Sequence, residues 1–273
     1  MEKEKDIRLI ALDLDGTLTN SEKIITAHTK DILRRAMEQG VYVALASGRP
    51  TPGVLPLAHE LELEKQGGFA LSYNGGRITD MRSGELLHES HVPQELIPEL
   101  CQFAADNGVN IISYSPMNEV VTENPDDQWV ELETRISGIP CRKVPDLAAE
   151  LTYPVPKLLI TVDPSRMEEV EQKLAKQFEG RLEVFHSSPF FLEMMEYGYN
   201  KGAALNVLLN KLELTKDHLM ACGDSGNDIA MIRLAGIGVA MGNAEDAVKA
   251  QADYVTASND EDGVAKAIEK FVL

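Results

Sequence analysis

The sequence predicts an α/β protein, a doubly wound and mostly parallel sheet core with an inserted α+β module. Three observations carry this reading. Residues 7–14 (IRLIALDL) and 41–46 (VYVALA) are continuous apolar runs, unalternated as strands buried on both faces are. Between them Ile32, Leu33, Ala36 and Met37 fall at helical spacing before Gly40 ends the segment, which makes a βαβ opening. The same order returns near the end of the chain, in HLMACG at 218–223, a helix from Ser225, the run 237–240, another helix, and Tyr254-Val255 before a last amphipathic helix.

The middle breaks that alternation. Pro93 opens a helix that Gly108 closes, strand-like runs follow at 109–114 and 118–123, and a helix containing Trp129 comes next. A strand at 157–162 (KLLITV), a helix after Pro164 that stops near Gly180, and runs around 182–187 and 191–195 complete it. Adjacent strands with grouped helices predict an α+β module, with the core assigned to 1–84 plus 190–273 and the insert to 85–189. A length of 273 residues, against roughly 150 for a typical domain, agrees with two modest domains.

Composition narrows the function. The chain carries 26 basic and 44 acidic residues, a net charge of −18, which argues against a nucleic-acid or anionic-membrane surface and for a small-molecule partner. No feature marks an obligate protein partner. Cys101, Cys141 and Cys222 are scattered and form no C-x-x-C pair, so a reducing, cytoplasmic setting is expected. Met1 to Asp6 leads into a short apolar run that Asp13 interrupts, giving no signal-peptide core, and no stretch approaches the ~18 apolar residues of a membrane helix.

The chemistry is concentrated where predicted strands end. In Asp13-Leu14-Asp15-Gly16-Thr17 the two carboxylates alternate on a strand end and share a face, and Gly16 permits a sharp exit. Like charges so close are costly unless a cation or a shared proton relieves them, although Asp and Gly also make ordinary turns. In Gly223-Asp224-Ser225-Gly226-Asn227-Asp228 the N–H groups of a starting helix face a bound anion, and Asp224 and Asp228 lie four apart. Hard oxygen donors without His or Cys suit Mg2+, while an Asp- and Asn-rich helix cap is the plain alternative. Ser47-Gly48-Arg49 offers a hydroxyl and backbone N–H groups to a phosphate. Lys201-Gly202 opens a helix, where a solvent-facing lysine is the ordinary expectation and a fixed charge for a phosphate the functional one. Asp13, Ser47 and Asp224 each follow a predicted parallel strand, the edge at which open α/β sheets bind ligands.

The set DLDGT, SGR, NKG and GDSGND, in this order, resembles the haloacid-dehalogenase-like phosphatases, and the insert of about a hundred residues resembles the IIB cap of their Cof-type subgroup, on a Rossmann-like core. SYNGG at 72–76 and the closing SNDEDGVAKAI extend the match, with Gly76 standing where the family commonly has Ala. The resemblance implies that Asp13 is a nucleophile forming an aspartyl phosphate and that Asp15 is the acid and base. It implies Mg2+ held by Asp13, the Asp15 carbonyl and Asp224, with Ser225 and Asp228 beside it, and phosphoryl oxygens held by the Leu14 N–H, Ser47, Gly48, Lys201 and Asn227.

The expected function is therefore Mg2+-dependent hydrolysis of small phosphorylated metabolites such as sugar phosphates. A phosphosugar mutase and a non-catalytic phosphometabolite sensor are the alternatives. Gly236-x-Gly238 has Met241 where a dinucleotide fingerprint needs its third glycine, and Val54 and Leu55 stand where a Walker loop needs Lys and Ser or Thr. His88 and His91 form no H-E-x-x-H, and Phe190-Phe191 with Met194-Met195 read as core.

Overall fold

The computed structural model describes residues 6–273, so the charged N-terminal residues 1–5 and the signal-peptide reading that rests on them lie outside the described residues. The strands in chain order are β1 (Leu9–Leu12), β2 (Tyr42–Ala46), β3 (Gly68–Ser72), β4 (Arg77–Asp80), β5 (Leu86–Glu89), β6 (Asn110–Tyr114) and β7 (Val120–Thr122). They continue with β8 (Cys141–Lys143), β9 (Leu158–Thr161), β10 (Leu182–Ser188), β11 (Phe191–Glu196), β12 (Leu219–Gly223), β13 (Ile237–Ala240) and β14 (Tyr254–Val255). The chain divides into two compact units, Met1–His88 with Asn200–Leu273, and Glu89–Tyr199.

In the first unit an eight-stranded sheet runs β14-β13-β12-β1-β2-β3-β4-β5. β1 lies at its centre, paired in parallel with β12 on one side and β2 on the other. All four β1 residues are fully buried, as the unbroken apolar run requires of a strand covered on both faces. Leu12 stands opposite Cys222 and Leu45, so the residues just beyond them leave the sheet at one edge. The helix Ala27–Glu38 is capped by the Thr26 hydroxyl and buries Ile32, Leu33, Ala36 and Met37. A second helix, Lys201–Lys211, starts at Asn200, whose side chain accepts the Ala203 N–H, and buries Ala204, Leu205, Leu208 and Leu209. Gly202 lets that helix approach the following segment closely, because a Cβ there would lie 2.7 Å from the Ala230 carbonyl oxygen.

The second unit holds a six-stranded sheet in the order β10-β11-β9-β6-β7-β8, antiparallel except for the parallel β7–β8 pair. One set of alternating residues, including Ile111, Leu158, Ile160, Leu192 and Met194, joins Leu100, Phe103, Leu174 and Phe178 in its core. The other set is more polar. Lys157 and Glu193 form an ion pair at 3.1 Å with both side chains 3% exposed, and the Tyr114 hydroxyl donates to Glu133 at 2.8 Å.

The units divide after His88 and after Tyr199, against borders expected near 84 and 190, give or take several residues. β5 extends the first sheet beyond residue 84, and β11 pairs with β9 and β10 in register Phe191↔Thr161 and Leu182↔Glu196, so 190–199 belongs to the second unit. β1 ends at Leu12, two residues before the apolar run does, and the chain turns from Leu14. The helix expected from Ser225 is one tight turn, Gly226–Asp228, leading into the short helix Ile229–Leu234.

Breaking a buried ion pair from one side strands a charge. Lys157→Met is expected to lower stability by about 3–5 kcal/mol, read by chemical denaturation, while adding Glu193→Leu restores most of the loss. A single variant as stable as the parent would contradict this.

Candidate active site

At the carboxyl edge of the first sheet the Lys201 ammonium lies between two carboxylates. Its Nζ is 2.6 Å from Asp13 Oδ1 and 2.6 Å from Asp228 Oδ1, and the lysine is fully buried. Lys201 is brought there by the first turn of its helix, and Asp13 by β1, whose exit is fixed by the Asp13 N–H bonding the Cys222 carbonyl at 3.1 Å. Burial alone disfavours the ammonium, but Asp13 and Asp228 outweigh it and raise the Lys201 pKa above its ordinary value. The solvent-facing lysine that its position suggested is thus excluded.

Asp13, Asp224 and Asp228 each offer a carboxylate oxygen within 4.8 Å of the others. Burial, then the nearby Asp228, pushes the Asp13 carboxyl well above its usual range against the pull of Lys201. Burial and Asp228 likewise push Asp224 up to about 6, although the Thr17 hydroxyl donates to it at 2.9 Å. One ammonium serves three carboxylates, so the cluster favours a further cation or retained protons. Gly16 makes the geometry possible: its φ of +84° suits glycine, and a Cβ would lie 2.5 Å from Asp224 Oδ2.

Asp228 does more than face Lys201. Its Oδ2 accepts the N–H groups of Asp224 at 3.0 Å and Ser225 at 3.1 Å, closing the loop on itself. Those two N–H groups are therefore committed within the loop, and the helix-start anion site read from the sequence loses them. The Ser225 hydroxyl points to Asn227 Oδ1 at 2.9 Å, so it serves the same turn.

Asp15 lies on the turn beyond β1, and its carboxylate has partners other than Lys201. Arg49 binds both Asp15 oxygens, Nε to Oδ2 at 2.8 Å and an Nη to Oδ1 at 2.7 Å, and Lys23 adds a contact at 2.9 Å. Burial pulls the Asp15 pKa up, but Arg49 and then Lys23 prevail and hold it below the ordinary value.

The phosphate cradle expected around Ser47 is a braced loop. The Ser47 hydroxyl accepts the Arg49 N–H at 3.1 Å and keeps its own proton to donate, and the Ser47 carbonyl accepts the Asn74 N–H at 2.8 Å. Asn74 has a left-handed backbone (φ 54°) and its Oδ1 accepts from the Asn227 side chain at 2.9 Å, tying this loop to the one after β12. A Cβ on Gly48 would lie 3.2 Å from the Asn74 amide, which places Gly48 against the same residue. The Leu14 N–H has no acceptor among the described residues. Asn74, Thr17, Arg49 and Lys23 were given no role from the sequence; the SYNGG, DLDGT and SGR motifs contained three of them, and Lys23 carried no signal.

Comparisons with known proteins identify the family. The family model described as haloacid dehalogenase-like hydrolase matches residues 10–268. The 5-amino-6-(5-phospho-D-ribitylamino)uracil phosphatase YcsE of Bacillus subtilis is 37% identical, the alignment covering 99% of this chain and 98% of that protein. A haloacid dehalogenase-like hydrolase from Bacteroides thetaiotaomicron superposes with a TM-score of 0.88 at 45% identity, over 97% of this chain and 99% of that one. The HAD subclass IIB sugar phosphatase BT4131 does so at 0.83 and 28% identity, over 97% and 98%. The buried lysine, the carboxylate cluster beside it and these matches place the chain in the haloacid dehalogenase-like hydrolases, as a phosphatase of that superfamily.

Proposed function

We propose that the protein is a Mg2+-dependent phosphomonoesterase that hydrolyses small phosphorylated metabolites bearing a hydroxylated carbon chain. The observation that carries this reading is the Lys201 bridge, which aligns Asp13 while neutralising only part of a cluster of three carboxylates. The all-oxygen donor set and its unbalanced charge fit a hard divalent cation, which the carboxylates of Asp13, Asp224 and Asp228 would hold, with the Asp15 backbone carbonyl as the further ligand that the family resemblance implies. When bound, such an ion lowers the repulsion between these carboxylates and an incoming phosphate and polarises the phosphoryl group.

Asp13 Oδ1 is occupied by Lys201, whereas Oδ2 has no hydrogen-bond partner among the described residues and is the oxygen suited to attack. Attack forms a bond from Asp13 to phosphorus as the bond to the leaving oxygen breaks, and Asp15, which must first take up a proton because Arg49 and Lys23 favour its ionised form, gives that oxygen its proton. Water then adds to phosphorus with its proton passing to Asp15, the bond to Asp13 breaks, and phosphate leaves with both carboxyl groups as they began. Lys201, the Ser47 hydroxyl and the Leu14 N–H supply positive potential and donors for the phosphoryl oxygens, with Gly48 and Asn227 bordering the same loops.

The substrate class is supported by relatives. Three Bacillus subtilis relatives, at 37%, 27% and 27% identity, are named 5-amino-6-(5-phospho-D-ribitylamino)uracil phosphatases, and one structural neighbour is named a sugar phosphatase. Both names describe a phosphate ester on a polyhydroxylated skeleton.

Purified protein is expected to release phosphate from an aryl phosphate with Mg2+ and to stop when chelator is in excess. Asp13→Asn should fall below about a thousandth of the parent rate with an unchanged circular dichroism spectrum. A panel of sugar phosphates and the phosphoribityl-aminouracil then ranks substrates by kcat/KM. Isomerisation of a sugar phosphate without net phosphate release would replace this reading with a mutase, and parent-like turnover by Asp13→Asn would end it.

A further inference from the structure

Asp15 is held at this edge by side chains alone. Its side chain is 38% exposed, it lies on a turn beyond β1, and no backbone N–H reaches its carboxylate among the described residues. Its orientation rests on Arg49 and Lys23. The two contributions are unequal, because the Arg49 side chain is 19% exposed whereas that of Lys23 is 62% exposed.

Arg49 is itself held from several directions. Its backbone N–H bonds the Ser47 hydroxyl at 3.1 Å, its carbonyl accepts the Tyr73 N–H at 2.9 Å, and one Nη reaches the Gly53 carbonyl at 3.2 Å. The remaining donors form a planar fork over both Asp15 oxygens, a match in shape that fixes the plane of the carboxylate as well as its position. Arg49 forms no ion pair with any other carboxylate among the described residues. Lys23, in a left-handed conformation (φ 63°) within a loop closed by the Asn20 side chain, adds a single point contact.

We infer that Arg49 is a positioning residue for Asp15: its guanidinium fork aims the carboxyl group that exchanges a proton with the leaving oxygen and with water. This rests on the phosphatase reading above. It gives the third residue of the Ser47-Gly48-Arg49 loop a task separate from the phosphate contacts expected of the first two. A positioning role has a particular signature, since a leaving group that departs readily as an anion needs no proton, while an alkoxide does.

The test compares the parent, Arg49→Met and Arg49→Lys on phosphate esters graded by leaving group, from p-nitrophenyl phosphate to an alkyl phosphate. Arg49→Met is expected to lower kcat on the alkyl ester by about tenfold or more, with KM little changed and a much smaller loss on the p-nitrophenyl ester. Arg49→Lys, which keeps the charge without the fork, should recover part of the alkyl rate. In single-turnover release of the alcohol from the alkyl ester, adding Arg49→Met to Asp15→Asn should cost almost nothing further, because the residue through which Arg49 acts has already been disabled.

Equal losses on all esters, a loss confined to KM, or full additivity with Asp15→Asn would each overturn the inference and mark Arg49 as a substrate contact or a structural residue. A parent enzyme inactive on every ester would instead overturn the phosphatase reading. An active parent with an unchanged leaving-group dependence in Arg49→Met would leave the phosphatase reading standing and remove this one alone.

Discussion

The buried ammonium of Lys201 is the interaction on which the site depends. It touches Asp13 and Asp228 at equal distances, so it joins the loop after β1 to the loop after β12 through a charge that water does not reach. Burying a charge is costly unless it is paired, and here the pairing is double. The arrangement is still unbalanced. Two carboxylates meet one ammonium, Asp224 adds a third, and burial first and the neighbouring Asp228 second raise Asp13 and Asp224 above the ordinary carboxyl range. A fold that places uncompensated negative charge at a rigid sheet edge is prepared for a cation and, with it, for a phosphate.

The rest of the first unit keeps that lysine in place. Asn200 caps the helix that begins with Lys201, and Gly202 allows the helix to approach the Ala230 carbonyl too closely for any side chain. Asp228 is fixed by the Asp224 and Ser225 N–H groups on one oxygen, leaving the other for Lys201. Asp224 sits against Gly16 and accepts the Thr17 hydroxyl, which couples the first loop back to the last. Asn74 extends the connection to the loop after β2. These contacts span much of the sequence, yet each is local to one sheet edge, the consequence of parallel strands that all end there.

Much of this was legible in the sequence. β1, β2, β12 and β13 announced themselves as short unalternated apolar runs, and the motif after each of the first three could be placed at the same edge without coordinates. β8 was missed because Cys141-Arg142-Lys143 is a polar, half-exposed strand with no apolar pattern to read. The hairpin of β3 and β4 lacked a turn signature of its own beyond SYNGG. Local reasoning failed where partners lie far apart in sequence. Nothing near Asp15 announces Arg49, thirty-four positions on, and nothing near Lys201 distinguishes it from a surface lysine except the company that the family resemblance supplied.

The most direct test of the account is calorimetric titration of the chelator-treated protein with Mg2+ at several pH values. Because burial and Asp228 push Asp224 up to about 6 and Asp13 well above its ordinary value, protons would compete with an ion for these oxygens. Affinity should therefore weaken as the pH falls from about 7 to about 5, protons should be released on binding near pH 6, and Asp224→Asn should weaken binding sharply. Binding that ignores pH through this window and survives Asp224→Asn undiminished, or no binding at all, would contradict the claim that the carboxylates around Lys201 favour a further cation.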